Sequence, residues 1–207
     1  YEVIFNKMLK LTEEQTAFYV GKLTKMVCEK YSDVVFVSLL RAGTVIGVLM
    51  KRYAMKVLNK DIKHYSVGLS RGKGIDFNAL KYIIRDNPHK TIIFIDGWVG
   101  KGTTKMELDR TCNLFNKKYG THVEPIIAVL SDLKNISDFC ATSKDILLPN
   151  SLINAQGCGL ISRITQNEQI IRENEYNGAI IFDDLKEEDK TYILIDSISK
   201  YFGKTED

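Results

Sequence analysis

The stretch Thr91-Ile92-Ile93-Phe94-Ile95-Asp96-Gly97-Trp98-Val99-Gly100-Lys101-Gly102-Thr103-Thr104 decides how this chain is read. Its first five residues are β-branched or aromatic, the composition of a strand buried on both faces. A carboxylate, Asp96, follows the apolar run. Gly97, Gly100 and Gly102 come next, and the hydroxyls of Thr103 and Thr104 open an amphipathic segment running to about Lys118. Strand, glycine-rich loop and helix start together read either as an anion site or as a tight turn with a helix cap. Backbone N–H groups at a helix start point at a bound anion, and glycine lets the backbone approach it. Lys101 inside the loop strengthens that expectation. The pattern is not a nucleoside-triphosphate P-loop. That motif needs glycine where Ile95 stands and a hydroxyl directly after the lysine, where Gly102 stands.

Working outward, the same alternation recurs. Val34–Ser38 reads as a buried strand and Gly43 to about Leu58 as a helix. Ile62–Gly68 reads as a strand, Phe77–Arg85 as a helix and Pro125–Leu130 as a strand closed by Ser131-Asp132. Ile146–Leu148 is a short strand candidate, and Ala179–Phe182 is the last clear apolar run. At the amino end, Thr12-Glu13-Glu14-Gln15 has the form of a capping box, which predicts a helix from about Glu13 to Tyr31. The expectation is an α/β domain, a mostly parallel sheet with helices on both faces. Ligands of such sheets bind outside the carboxyl ends of the strands. The divisions are a helical segment 1–32, a core 33–150 and a C-terminal segment 151–207 packing on it.

Two more loops belong to that carboxyl edge. Ser38-Leu39-Leu40-Arg41-Ala42-Gly43 joins the first strand to a helix. Arg41 sits where a cation opposes the helix dipole, and a bound anion would account for it. Ser70-Arg71-Gly72-Lys73-Gly74 is a basic, glycine-rich loop in which Arg71 and Lys73 can meet an anion, and Asp76 reads as the cap of the next helix. Asp132, at a strand end, is either a turn cap or a contact to a second substrate. Trp98 is either a stacking surface or a gap filler.

Bulk composition excludes several classes. The chain has 207 residues, 44% hydrophobic and 27% charged, enough for a substantial core without staples. A net charge of +3 is too small to imply nucleic-acid binding by this segment. Cys28, Cys112, Cys140 and Cys158 form neither a C-x-x-C pair nor a disulfide framework, and Tyr1–Asn6 lacks the features of a signal peptide. Reduced thiols in a cytoplasmic protein are expected, with no membrane partner. A chain opening on Tyr1 and closing on Asp207 reads as a piece of a longer protein or one trimmed before another domain.

The order of these motifs resembles the type I phosphoribosyltransferase superfamily over roughly Val34–Asp132. Asp96 takes the first acidic place of its 5-phosphoribosyl 1-pyrophosphate (PRPP) motif, and Gly97 stands where a second carboxylate is usual. Gly100 and Lys101 occupy the paired-threonine places, Gly102 the motif glycine and Thr104 the last threonine. Leu40-Arg41-Ala42-Gly43 is similar to the pyrophosphate loop of uracil phosphoribosyltransferases. The basic loop 70–74 is similar to the mobile loop that closes over the ribose. The wider sequence also resembles a bacterial tellurite-stress family of predicted phosphoribosyltransferases, also named the cysteine protease StiP family. Its Ser-Gly-Leu-x-Ser-Arg segment corresponds to Cys158-Gly159-Leu160-Ile161-Ser162-Arg163 here.

This resemblance implies a type I phosphoribosyltransferase-like fold with a small hood or C-terminal portion, possession of Mg²⁺ as cofactor, and a role in nucleotide metabolism or stress response. PRPP would be held by Arg41, Ala42, Gly43, Asp96, Gly97, Trp98, Gly100, Lys101, Gly102, Thr103 and Thr104. Arg41, Asp96, Arg71 and Lys73 would act in catalysis, Asp96 touching the metal only through water or ligand. Asp132, Ser162 and Arg163 would face an unknown base-like acceptor. The resemblance further implies a homodimer and, in longer members, a following RNA-binding domain. Two other readings stay open. The fold can serve as a non-catalytic ligand sensor, because Gly97 removes a carboxylate. It can also serve as a cysteine protease, for which Cys158 is the loop thiol and His64, His89 and His122 are the histidines.

Overall fold

The computed structural model describes residues 1–148, 151, 153, 164–165, 169, 171–179 and 183–204. Five strands form one parallel sheet: β1 (Val34–Leu39), β2 (His64–Val67), β5 (Thr91–Val99), β6 (Ile127–Asp132) and β7 (Phe139–Thr142), in the order β2-β1-β5-β6-β7. Two short antiparallel pairs flank it, β3 (Leu69–Ser70) with β4 (Gly74–Ile75), and β8 (Ile164–Thr165) with β9 (Gly178–Ala179). The helices are α1 (Glu2–Lys30), α2 (Ala42–Val57), α3 (Phe77–Asp86), α4 (Thr103–Tyr119) and α5 (Thr191–Ser199), with a 3-10 turn at Asp183–Glu188.

The period-2 alternation of the central strands feeds two cores. Phe36, Ile93, Ile95, Ala128 and Leu130 pack against α1, α2 and α5, whereas Val35, Val37, Phe94, Ile127 and Val129 pack against α3 and α4. Every residue of β1 is buried, as a central parallel strand requires. The α/β expectation is met. Asp76 caps α3 as predicted, its Oδ1 accepting from the N–H groups of Asn78 and Ala79 at 3.0 Å. Gly120, at φ 62°, ends α4 in the left-handed conformation.

Two expectations need correction. The first helix starts eleven residues earlier than the capping box suggested, at Glu2, and the Thr12 hydroxyl donates 2.8 Å back to the Met8 carbonyl instead of capping. Phe5 and Leu9 continue the buried stripe of Thr16, Val20 and Val27 toward the amino end, so tertiary packing overrides the local start signal. The helix thereby packs along α2 and α5 and over the β6–β7 side of the sheet. The edge strand is Phe139–Thr142, which contains Cys140, and residues 146–148 are irregular. Of the run Ala179–Phe182, Ala179 ends β9 and residues 180–182 lie outside the described residues.

The C-terminal part touches both faces. The Asn78 side-chain amide donates to the Glu173 and Glu175 carbonyls, and Asp76 Oδ2 accepts from the Asn177 N–H at 2.6 Å, which ties residues 173–177 to the start of α3. On the opposite face, α5 packs on α1 and α2, with Arg52 paired to Asp196 at 2.6 Å and the Phe202 ring edge-on to Tyr53. No described helix is long and apolar enough to cross a membrane.

Candidate functional site

In sheet order the sequence reverses between β1 and β5. β1 is followed by a helix leading to β2 on one side, and the chain then crosses to β5 on the other. A switch point of this kind opens a crevice at the carboxyl edge of the sheet, between helices leaving on opposite faces. Here those helices are α2 and α4. Neither has a side-chain cap, and neither carries an acidic residue in its first turn. The first-turn amide N–H groups of both helices point toward the crevice, the geometry of an anion site. The two predicted phosphate loops, residues 38–43 and 96–104, meet at this point.

Gly43 is what brings them together. A β-carbon there would collide with the Ile95 carbonyl oxygen and lie against Asp96. Its lack of a side chain thus seats the first turn of α2 on β5 at Ile95–Asp96. The resemblance places Gly43 among the PRPP-holding residues, and the structure adds a packing reason for glycine at this position. The Leu40–Arg41 peptide just before it is cis. Arg41 is solvent-exposed at the helix start.

Beneath this loop lies a brace that sequence reading missed. Ser38, fully buried, donates its hydroxyl proton to the Gly43 carbonyl at 2.8 Å, and its Oγ lies 2.7 Å from His64 Nε2 on β2. A serine hydroxyl has one proton to give, so His64 is the donor of the second bond and carries its proton on Nε2. Burial, with Lys51 nearby, lowers the His64 pKa to about 4, and the ring is neutral at pH 7. Gly47 makes room for the pair, since a β-carbon there would strike both Ser38 Oγ and His64 Nε2. A second strap joins Thr44 Oγ1 to Ser66 Oγ at 3.1 Å. The signal available in the sequence was a glycine inside a helix, Gly47, opposite a lone strand histidine.

Asp96 does not end its strand. β5 continues to Val99, paired with β6 through Asp132, so Asp96 and Gly97 are extended backbone at the point where β1 has stopped pairing. Asp96 is half-buried, and burial pushes its carboxyl up to about 6 despite a 2.8 Å bond to Oδ1 from the Gly97 N–H. Gly97 supplies no second carboxylate. Among the described residues no group of three or more His, Cys, Asp or Glu is placed to hold a metal ion. The Trp98 ring lies over Gly100, where a β-carbon would strike it, and Trp98 remains 43% exposed. Gly102, at φ 84°, turns the chain into α4, and Lys101 and Thr103 face solvent.

The other predicted residues are spread more widely. Arg71 and Lys73 sit on the turn of the β3–β4 hairpin, which docks on the side of α4. A β-carbon on Gly74 would meet Thr111, and Arg110 reaches the Gly72 carbonyl at 3.4 Å. Lys73 lines a cavity with Lys81, Lys118 and Arg172. Asp132 is fully buried and holds its own turn, accepting from the N–H groups of Lys134, Ile136 and Ser137 and from the Ser137 hydroxyl at 2.6–3.0 Å. Those bonds hold its carboxyl below the usual range, against the opposing effect of burial. This arrangement is that of a turn cap. Ser162, Arg163 and Cys158 lie outside the described residues.

The three described thiols are all pushed toward the neutral form. Burial raises Cys28 and Cys140, and raises fully buried Cys112 to about 12. None of them has the electropositive, accessible setting of a reactive thiolate.

Two solved hypoxanthine phosphoribosyltransferases are similar in fold. That of Trypanosoma cruzi is 14% identical with a TM-score of 0.43, over 63% of this chain and 77% of that one. That of Staphylococcus aureus is 15% identical with a TM-score of 0.43, over 65% and 76%. Nothing about activity follows from likenesses this distant. The curated cysteine protease StiP of Acinetobacter baylyi (strain ATCC 33305 / BD413 / ADP1) is 32% identical over 206 residues, 95% of this chain and 53% of the relative. This chain spans about half of that relative's length. The model of the family described as "Tellurite-like stress resistance cysteine protease StiP" matches residues 1–199, and the chain belongs to the StiP family.

Proposed function

We propose that the crevice between β1 and β5 binds a PRPP-like ligand and transfers its ribose 5-phosphate unit to or from a base-like acceptor. The observation that carries this reading is the convergence of two uncapped helix starts, α2 and α4, on a half-buried carboxylate at the switch point. The N–H groups at the start of α4, with Thr103 and Thr104, would hold the 5-phosphate. Arg41 and the Ala42-Gly43 backbone would hold the pyrophosphate, and Asp96 would hold ribose hydroxyls and favour positive charge developing at the anomeric carbon. The lone carboxylate suits a Mg²⁺ ion carried in by ligand phosphates, since that ion commonly takes one or two carboxylates plus substrate oxygens. When bound, it would neutralise charge on the leaving pyrophosphate. Arg71 and Lys73 would join only if the hairpin moved from α4.

The test is calorimetric titration with PRPP and pyrophosphate, with and without Mg²⁺. Binding that needs Mg²⁺ and is lost in Arg41→Ala and Asp96→Asn supports the site. No binding to a folded sample overturns it. Binding without turnover across an acceptor screen favours the sensor reading, which Gly97 motivates. A protease reading is left with Cys158, because the described thiols are held neutral.

A further inference from the structure

A second concave site lies beside the β1–α2 loop and shares no residue with the phosphate loops except Leu40. It is a cavity of about 260 Å³ at the carboxyl end of β2, walled by Tyr65, Tyr82, Tyr176, Ala79 and Ile83. Its size is below the roughly 300–1,000 Å³ of drug-sized pockets, which suits one planar ring system. Tyr65 is a fixed wall, because its hydroxyl donates to Asp86 and accepts from the Asn87 side chain, and the Tyr82 ring stands edge-on to it at 6.2 Å. Tyr82 and Tyr176 are 42% and 58% exposed, and both line the opening. Aromatic faces left partly exposed around a concave, mainly apolar space offer a stacking surface.

One polar group in the wall has no partner among the described residues. Asn177 is anchored through its backbone N–H to Asp76, yet its Nδ2 is buried with no hydrogen-bond acceptor. A buried donor left unpaired costs more than one exposed to water, and a ligand carrying an acceptor at its ring edge would relieve it. Asp76 and Asn177 also line the adjoining cavity, of about 520 Å³, where Lys73, Lys81, Lys118 and Arg172 outnumber the carboxylates of Asp76, Glu173 and Glu175. A ring seated among the tyrosines would project its substituent toward these cations.

We infer that this cleft binds a planar heterocycle with a hydrogen-bond acceptor at its edge and an anionic substituent, which is the chemistry of a nucleotide. The ring stacks on Tyr82 and Tyr176, the Asn177 amide donates to its edge, and the anion lies near Lys73, Lys81 and Arg172. The inference does not depend on phosphoribosyl transfer at the neighbouring crevice.

The experiment is NMR titration of the whole chain with AMP and UMP, with adenine as a ring-only probe and ribose 5-phosphate as an anion-only probe. A nucleotide is expected to bind with shifts at Tyr82, Tyr176 and Asn177, and more tightly than either half. Tyr82→Ala is expected to weaken it about tenfold, the usual scale for losing one stacking partner, and Asn177→Leu by up to about tenfold through loss of one hydrogen bond. Tyr176→Ala serves as a further variant that removes an exposed ring with little risk to folding. Failure of both nucleotides to bind, or binding equalled by ribose 5-phosphate and indifferent to all three substitutions, overturns the inference. Pyrophosphate titrated into the same variants separates the two sites. Its failure to bind while a nucleotide does would sink the crevice reading and leave this one intact.

Discussion

Replacing Asp96 by Asn should make the ligand-free protein more stable while removing ligand binding. Burial lifts the Asp96 carboxyl from 3.8 to about 6, so the folded chain opposes its ionisation. Between those values the folded state holds more protons than the unfolded one, and stability falls as pH rises through the window. At pH 7 the shift corresponds to about 3 kcal/mol of destabilisation, at about 1.4 kcal/mol per pKa unit. Asn retains an acceptor for the Gly97 N–H and carries no charge. The expected gain for Asp96→Asn at pH 7 is therefore about 2–3 kcal/mol, or roughly 4–12 °C in Tm for a chain of this size. The gain should shrink toward zero as pH falls from about 6 to below 4, where the native carboxyl is itself neutral. His64 acts with opposite sign nearby. Its folded value of about 4 lies below the ordinary 6.5, so its contribution is present above 6.5 and is lost as pH falls. The assay is thus the difference between wild-type and variant unfolding in urea at several pH values, in which the histidine cancels. No gain at pH 7, or a gain that does not change with pH, would refute the reasoning.

Other perturbations test the frame around the site. His64→Phe should flatten the wild-type rise in stability between pH 4 and 6.5 and loosen the β1–α2 loop, read as faster amide exchange at Ala42–Thr44. Gly47→Ala should cost about 1–3 kcal/mol in urea unfolding, because the added methyl drives into Ser38 and His64. Asp132→Ala removes the acceptor of four bonds at once and should cost about 2–4 kcal/mol, measured as a drop in Tm. In a native sample at pH 7, alkylation followed by mass mapping should leave Cys112 unmodified until the protein is denatured.

The central fold was legible because β1 and β5 are short apolar runs bounded by strong punctuation. Ser32-Asp33 precedes one, and the glycine loop follows the other. Buried parallel strands have few alternative readings once helices separate them. The edges were less legible for physical reasons. Thr12–Gln15 satisfies a local capping rule, yet Phe5 and Leu9 bury on the same stripe and extend the helix past it. Phe139–Thr142 alternates buried and half-buried residues over only four positions, too short for a periodic signal. Of the candidate site, the two loops could be read from glycine spacing and charge. The Ser38–His64 brace left only the signal of Gly47 and a lone strand histidine, and the tyrosine cavity left none, because they join residues brought together by strand order and by the return of residues 173–177 to α3.

The chain contains a single tryptophan, Trp98, and its indole rests partly exposed on Gly100 within the loop that opens α4. Its fluorescence therefore reports on this one loop without interference from any other indole. A ligand that covers the loop would shift the emission to shorter wavelength and shield the ring from a soluble quencher. An occupant confined to the tyrosine cleft would change neither. The protein thus carries an intrinsic optical marker at the crevice, and unlabelled material can tell one site from the other.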